Sequence, residues 1–594
     1  MDSSGQLFNL EEFNVEQTFD NGPGQVVKVL PDVAGLKDEF SYLLPEQLCS
    51  EAALGSLVRI DFGGRRVSGW ITEIDLDTPT NFKLNSIKKV SSAGPPHEII
   101  ELARWASLRW HGQLKNVLNT ASPKKYIKKI PIPKEQNKSN KLESELYNLS
   151  LESLEISQTT LLVTSPSSEI SHVILAASSK GRVLVLAPDI FSAKTLVAKI
   201  RRSGVSCQFY DRQWSGLSSQ VVVGTLTAIW APGNRWSSII VTDENSDLYK
   251  SKQSPNWHAR DVAIERCKRL AVPCLMTSST PSLEAMESSQ SVAQISRSSA
   301  RSGWANIKVV DQREEEFRNL FSPYLVKKLR SAESALLILN RKGRSRMLAC
   351  GSCGELVKSA DGLHLMMSSK DLLINPMSGE QRPLVCLICS GTNLKNLKLG
   401  IKSAAESLSK LISKDVIDVS AENSVSTTSK FIVGTEAVLN RNFSPEIICF
   451  LDFDQELFSK RYLAAELSFS LIAKASKMLG IKSERSEIII QTRSPEHRVI
   501  KAAIKSDPMT FVSEEKKLRE AMKYPPYGVL AEISGKGSQS LIESISSSDV
   551  RIMGPKDNTY LLMAESYEQL VNSFSNFVRQ KGIRVKINID PLHV

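Results

Sequence analysis

Residues 161–175 read LLVTSPSSEISHVIL, and a second apolar run, RVLVLAP, follows at 182–188. An apolar strand, a loop of small residues, a helix and another buried strand make the opening unit of a doubly wound parallel sheet. The same order is that of a phosphate-binding loop, yet Thr164 to Ser171, TSPSSEIS, contains neither glycine nor lysine. Similar runs recur outward from it: QVVVGT at 220–225, SSIIVTDE at 237–244, PCLMTSST at 273–280, ALLILN at 335–340, KFIVGT at 430–435, IICFLDF at 447–453 and EIIIQT at 487–492. Short apolar runs separated by amphipathic helices predict parallel strands buried on both faces, and the eight from RVLVLAP onward fit two α/β lobes better than one. The lobes are placed at 159–300 and 301–508.

The flanks read differently. QVVKVLPDV and SLVRIDFGGRRVSGWITEID alternate apolar and polar residues, with Gly63-Gly64 as a turn, and EIIELARWASLRWHGQLKNVL has helical spacing up to Pro123. Residues 1–122 are therefore a β-rich domain closed by a helix. Residues 123–158 are a linker whose first part, 123–141, carries seven lysines against one glutamate and three prolines, the composition of a flexible or extended tether. Residues 509–594, with strand-like VLAEISG and YLLMA and a helix EQLVNSFSNFVRQ, form a small α+β domain. At 594 residues the chain needs several cores, roughly three to five domains.

A net charge of +11 suits a polyanionic partner. No apolar run approaches the ~20 residues of a membrane helix, and the acidic first twenty residues lack the pattern of a signal peptide, so a cytoplasmic protein is expected. Cys49, Cys207, Cys267, Cys274 and Cys449 stand singly in apolar or helical patterns and read as reduced core residues. The other four form two C-x2-C pairs, Cys350/Cys353 and Cys386/Cys389, in an insertion at 348–392. Four thiolates in two knuckles close a tetrahedral zinc site with no open position, so one structural zinc ion is expected. His364, alone among the 32 residues between the pairs, reads as a surface residue rather than a ligand.

PNWHARDVAIERCKRLAVPCLMTSSTPSLEAM (255–286), preceded by GTLTAIWAP and followed by LLILNRKG, CGSCG, IIIQTRSPEH and YPPYG, resembles the PriA family of bacterial primosomal replication-restart helicases. The resemblance runs with gaps over nearly the whole chain. It implies a protein that binds abandoned, forked or single-stranded DNA and works with a replicative helicase or its loader, single-strand-binding protein and other primosome components.

The chain departs from that family where the motor should be. A family loop of the type GVTGSGKTE cradles phosphates with glycine amides and a lysine. Here Pro166 removes an amide, Glu169 adds negative charge, and no lysine or arginine lies between Lys141 and Lys180. DEEH becomes Thr242-Asp243-Glu244-Asn245, and Asp243 with Glu244 reads as a solvated strand-end turn rather than a base. QVAGRAGR becomes LIAKASKML, and no arginine occurs from Tyr462 to Glu484. Thr164, Ser165, Ser167, Ser168, Asp243 and Glu244 thus mark a degenerate nucleotide site; no catalytic or cofactor-binding residue is assigned and ATP is not expected.

The N-terminal domain resembles the family's module for the 3′ end of a nascent strand, FSYLLPE standing for FDYLLPE, with Ser41 where an aspartate would help read the terminal nucleotide. Phe40 and Tyr42 either stack a base, worth about 1–3 kcal/mol per base, or fill a core. Arg65 and Arg66 on the glycine turn, and Lys124, Lys125, Lys128 and Lys129 on the linker, are the phosphate candidates. Residues 123–158 are too few for the family's winged-helix module. The leading reading is a restart protein without helicase activity; the alternatives are an active ATP-dependent 3′-to-5′ helicase and a protein-binding adaptor that has lost DNA binding.

Overall fold

The computed structural model describes residues 23–592 except 75–82, 133–141, 156–157, 234, 314–319, 340–346, 354–356, 358–364, 368–371, 375–379, 398–400, 420–428, 441–442, 460, 481–485, 546–548, 557, 576 and 578–582. Its N-terminal unit is an antiparallel sheet in the order β2-β1-β4-β3-β5, with β1 Gly24–Pro31, β2 Phe40–Pro45, β3 Leu57–Phe62, β4 Arg65–Ile74 and β5 Lys89–Ser92. The β3-β4 hairpin brings Phe62 opposite Arg65 across Gly63 (φ 55°) and Gly64 (φ 75°), both in the left-handed region that a tight two-residue turn requires. The single helix expected before Pro123 is broken into His97–Arg109 and Leu114–Ala121. His111 adopts φ 45° at the break, and a Cβ on Gly112 would lie 2.4 Å from the Pro255 ring. That constraint comes from a residue distant in sequence, so helical spacing gives no sign of it.

Lobe 1 is a seven-stranded parallel sheet: β6 Thr159–Val163, β7 Val183–Leu186, β8 Cys207–Phe209, β9 Val221–Gly224, β10 Ser238–Val241, β11 Cys274–Ser278 and β12 Ser291–Gln294, in the order β12-β6-β11-β10-β7-β9-β8. Every residue of β6, β7, β9, β10 and β11 is buried, as expected of strands covered by helices on both faces. Lobe 2 repeats the scheme with six parallel strands in the order Asn306–Asp311, Glu487–Thr492, Ile447–Phe450, Ala335–Ile338, Phe431–Gly434, Ile417–Val419. Its insertion pairs Met347–Cys350 with Leu394–Leu397 and adds a three-stranded sheet of Met366–Met367, Leu372–Ile374 and Gln381–Pro383. The C-terminal unit is an antiparallel sheet in the order Val550–Lys556, Thr559–Ala564, Val529–Ser534, Lys586–Ile589. The helix expected over 568–580 spans Tyr567–Ser573, and several of its last residues lie outside those described.

The 123–158 segment is less of a tether than its composition suggests. Ile127 is held to the end of β5, its amide donating to Ser92 Oγ (3.1 Å) and its carbonyl accepting from the Ala93 amide (2.8 Å). Glu145–Ser153 is a helix, N-capped by Ser144 and tied to lobe 1 through Glu145, which accepts from Ser299 Oγ at 2.6 Å.

Two features join the units. One buried cluster runs from Ile99, Ala103 and Trp110 through Trp214, Trp230 and Trp257 of lobe 1 to Leu562 and Ile589 of the C-terminal sheet. Between the lobes lies a buried hub, the Arg519 guanidinium: it meets Glu284 of lobe 1 (3.1 Å), Glu466 of lobe 2 (2.9 Å) and Glu515 of its own helix (3.1 Å), and donates to the Pro525 carbonyl (3.0 Å). Glu466 also accepts from the Leu283 amide (3.0 Å), crossing the lobes a second time. Charges this deep are tolerated only when each finds a partner.

Candidate functional site

The loop Thr164 to Ser171 sits at the C-terminal end of β6, the sheet edge where α/β proteins bind ligands. Most of its amides, however, are already used. Thr164 donates to the Ser278 carbonyl (2.9 Å), Ser165 to Ser168 Oγ (2.9 Å), Ser168 to the Ser165 carbonyl (3.0 Å) and Ser167 to the Gly303 carbonyl (3.3 Å). Past Pro166, the Ser171 amide donates to Glu169 Oε1 (3.3 Å). The loop closes on itself and on Gly303, where a Cβ would stand 2.0 Å from Ser165 Oγ. Glu169 does not aim a bare charge into the cleft, as its sequence position suggests. Its carboxylate accepts from Ser171 Oγ (2.7 Å) and pairs with Lys199 (2.5 Å). Burial alone would raise the Glu169 carboxyl; Lys199 and Ser171 outweigh it and hold the group below its usual range. Lost amide donors, more than repulsion, set this loop apart from a phosphate cradle.

Beyond β10 the two carboxylates part. Thr242 is buried with its hydroxyl donating to the Leu186 carbonyl (3.1 Å). Asp243, at φ 47°, faces the cleft and pairs across it with Lys477 of the helix Ala464–Leu479 (3.1 Å). Glu244 corrects the solvated-turn reading, for it is wholly buried: it accepts from the Ser282 amide (2.9 Å) and Ser282 Oγ (2.7 Å) and pairs with Arg260 (3.2 Å). Burial pushes its carboxyl up, against the pull of Arg260 and Ser282. Glu244 thus anchors the turn after β11, and only Asp243 remains in a lobe-to-lobe cleft of about 220 Å³ that Ser165, Asp189, Thr280, Lys474 and Lys477 also line. Arg260, Ser282, Glu466 and Arg519 were not singled out by sequence reasoning. The isolated Glu466 in the apolar run AAELSFSLIA was the available signal.

The four knuckle cysteines do converge. Their sulfurs lie within 4.8 Å of one another, Cys350 to Cys389 at 3.4 Å and Cys353 to Cys386 at 3.7 Å, a cluster able to hold a metal ion. A tetrahedron of 2.3 Å metal–sulfur bonds has edges of about 3.8 Å, so the spacing fits. The Cys353 and Ser352 amides pull the Cys350 thiol down to about 6. Cys389, though it also faces the Gly391 amide, is pushed up to about 12 by the thiols crowding it, a conflict that a bound cation resolves. His364 lies outside the described residues.

The candidate DNA residues fall into two groups. Phe40 packs edge-on against Phe62 (5.0 Å between centroids), which faces Arg65 across the hairpin, so Phe40, Arg65 and Arg66 share one end of β3. Tyr42 fills the core instead of facing a base, buried to 3% and donating from its hydroxyl to the Asp61 carbonyl. Ser41 lies opposite Lys28 on β1, half-buried. Lys124, Lys125, Lys128 and Lys129 are exposed near Ser92, which is paired with Leu57 at the other end of β3. Five residues of strand, roughly 17 Å, separate the groups.

Comparison with known proteins bears on the N-terminal unit first. The family description for the 3′DNA-binding domain (3′BD) of PriA matches residues 28–123. The chain is 24% identical to the replication restart protein PriA of Haemophilus influenzae over 63% of its own length, and spans 57% of that relative. It is 24% identical to the replication restart protein PriA of Rickettsia prowazekii over 96% of its length and 99% of the relative. Among solved structures, S. cerevisiae Dbp5 bound to RNA and ADP BeF3 aligns with 64% of this chain and 98% of its own, at 11% identity and TM-score 0.34. With its 3′DNA-binding module matched and one alignment running almost end to end, the chain is similar to the replication restart proteins PriA along nearly its whole length.

Proposed function

We propose that this chain is a replication restart protein that binds abandoned, forked or single-stranded DNA and promotes primosome assembly and reloading of the replicative helicase, without unwinding DNA itself. The observation that carries the second half is the loop after β6, whose amides are spent on Ser168, Gly303 and Glu169 instead of being free for a phosphate. Thr242 in place of an acidic metal-shell residue and the arginine-free helix Ala464–Leu479 support the same reading, because phosphoryl transfer needs its charge neutralised by a metal ion and a guanidinium. DNA binding rests on the matched 3′DNA-binding module and on the exposed cations Arg65, Arg66 and Lys124 to Lys129.

The Cys350/Cys353/Cys386/Cys389 cluster holds one zinc ion in a structural role, since four thiolates leave it no open coordination position. The protein partners are a replicative helicase or its loader and single-strand-binding protein. An anisotropy titration at fixed salt tests the fork reading: a fork with the leading-strand 3′-OH at the junction is expected to bind more tightly than the same fork with a gap, and that more tightly than plain duplex. Equal, steeply salt-dependent binding to all three would reduce the N-terminal module to a basic surface.

A further inference from the structure

The segment after the N-terminal helices carries a feature that phosphate attraction alone does not use. In Lys124-Lys125-Tyr126-Ile127-Lys128-Lys129 all four lysines are exposed, and the Tyr126 ring between them is 68% exposed. The backbone beneath is fixed: Ile127 bonds through both its amide and its carbonyl to Ser92 and Ala93, the Lys124 amide donates to the Arg212 carbonyl (3.1 Å), and Ile127 and Ile130 pack on the central core. A ring held out by a pinned backbone stands ready to stack, with little backbone entropy left to lose on binding.

The same surface continues along the sheet. Arg59 of β3 and Lys89 of β5 are exposed directly opposite one another, an arrangement that repels unless an anion lies across it. Among the described residues none of Arg59, Lys89, Lys124, Lys125, Lys128 and Lys129 has an ion-pair partner. Ser92, which holds Ile127, is three residues from Lys89 on β5, roughly 10 Å. The cations therefore form one strip along the edge of the sheet, with the free ring of Tyr126 at its end.

We propose that Tyr126 is a base-stacking platform at the end of a single-strand DNA track formed by Arg59, Lys89, Lys124, Lys125, Lys128 and Lys129. This rests on the DNA-binding reading above and specifies its substrate: an exposed aromatic face rewards unpaired bases, because those of a duplex are already stacked, whereas the lysines serve either form through phosphates.

The test is anisotropy of the full-length protein, at fixed salt, with a twenty-nucleotide oligo(dT) and with a duplex of the same length. Tyr126→Ala is expected to weaken oligo(dT) binding roughly 5- to 150-fold, leave duplex binding unchanged and keep the same salt slope, while Tyr126→Trp retains wild-type affinity. Lys128→Ala with Lys129→Ala is expected to weaken both ligands and to lower the oligo(dT) salt slope by about 1.4. Tyr126→Ala binding oligo(dT) like the wild type, or losing both ligands equally, overturns the platform while leaving DNA binding intact. A wild-type protein that binds neither ligand overturns the DNA-binding reading and the track with it.

Discussion

Arg519→Met is expected to lower the stability of the two-lobed body by about 3–5 kcal/mol, the cost of leaving buried carboxylates without their cation. Glu466, Glu515 and Glu284 all meet this one guanidinium, and they come from lobe 2, from the helix Pro508–Met522 and from lobe 1. Burial already pushes the Glu466 carboxyl up, with Glu284 and Glu515 adding to it, and Arg519 is the group that opposes the rise. Thermal or urea unfolding reads the loss. Adding Glu466→Gln to Arg519→Met is expected to restore part of the stability by removing one orphaned charge, and a change under about 1 kcal/mol in the single variant would contradict a connecting role for Arg519.

Cys353→Ser is expected to abolish metal binding and to unfold the insertion locally. Elemental analysis should find one zinc per chain in the wild type and none in the variant. Structural zinc sites contribute on the order of 10 kcal/mol to the folding of their small domains. Among the described residues the buried apolar cluster around this one comprises Leu348, Val357, Leu365 and Leu373, with Leu384 and Leu394 packed against it, a small core that leans on the metal for its order. Limited proteolysis should therefore cut between Cys350 and Cys389 in the variant and spare the lobes, whose sheets have their own cores. Protein purified without chelator that contains no zinc would contradict the site.

What was legible in the sequence follows from which forces are local. Each of the eight apolar runs is a central or near-central parallel strand, because burial on both faces demands an unbroken apolar string. Cys207–Phe209, Ser291–Gln294, Asn306–Asp311 and Ile417–Val419 went unread: they are the sheet edges, partly exposed, and their residues need not be apolar throughout. The cysteine knuckles were legible because ligand spacing is itself a local pattern. Glu244 was misread because its burial depends on Arg260 and Ser282, partners that only the tertiary fold delivers. Lys199 likewise lies thirty residues from the Glu169 it neutralises. Tyr126 passed unremarked among its lysines, since nothing in the segment itself reveals that β5 holds its backbone still.

Phosphate release from ATP in the presence of saturating forked DNA tests most directly whether this PriA-like scaffold lacks a working motor. The proposed loss of the motor predicts release at the protein-free rate, unchanged by DNA, from a preparation that binds the fork in the same buffer. Saturable release stimulated by the fork and abolished by replacing Asp243 would contradict it, and would mean that a loop without glycine, lysine or a free cradle of amides can still turn over ATP.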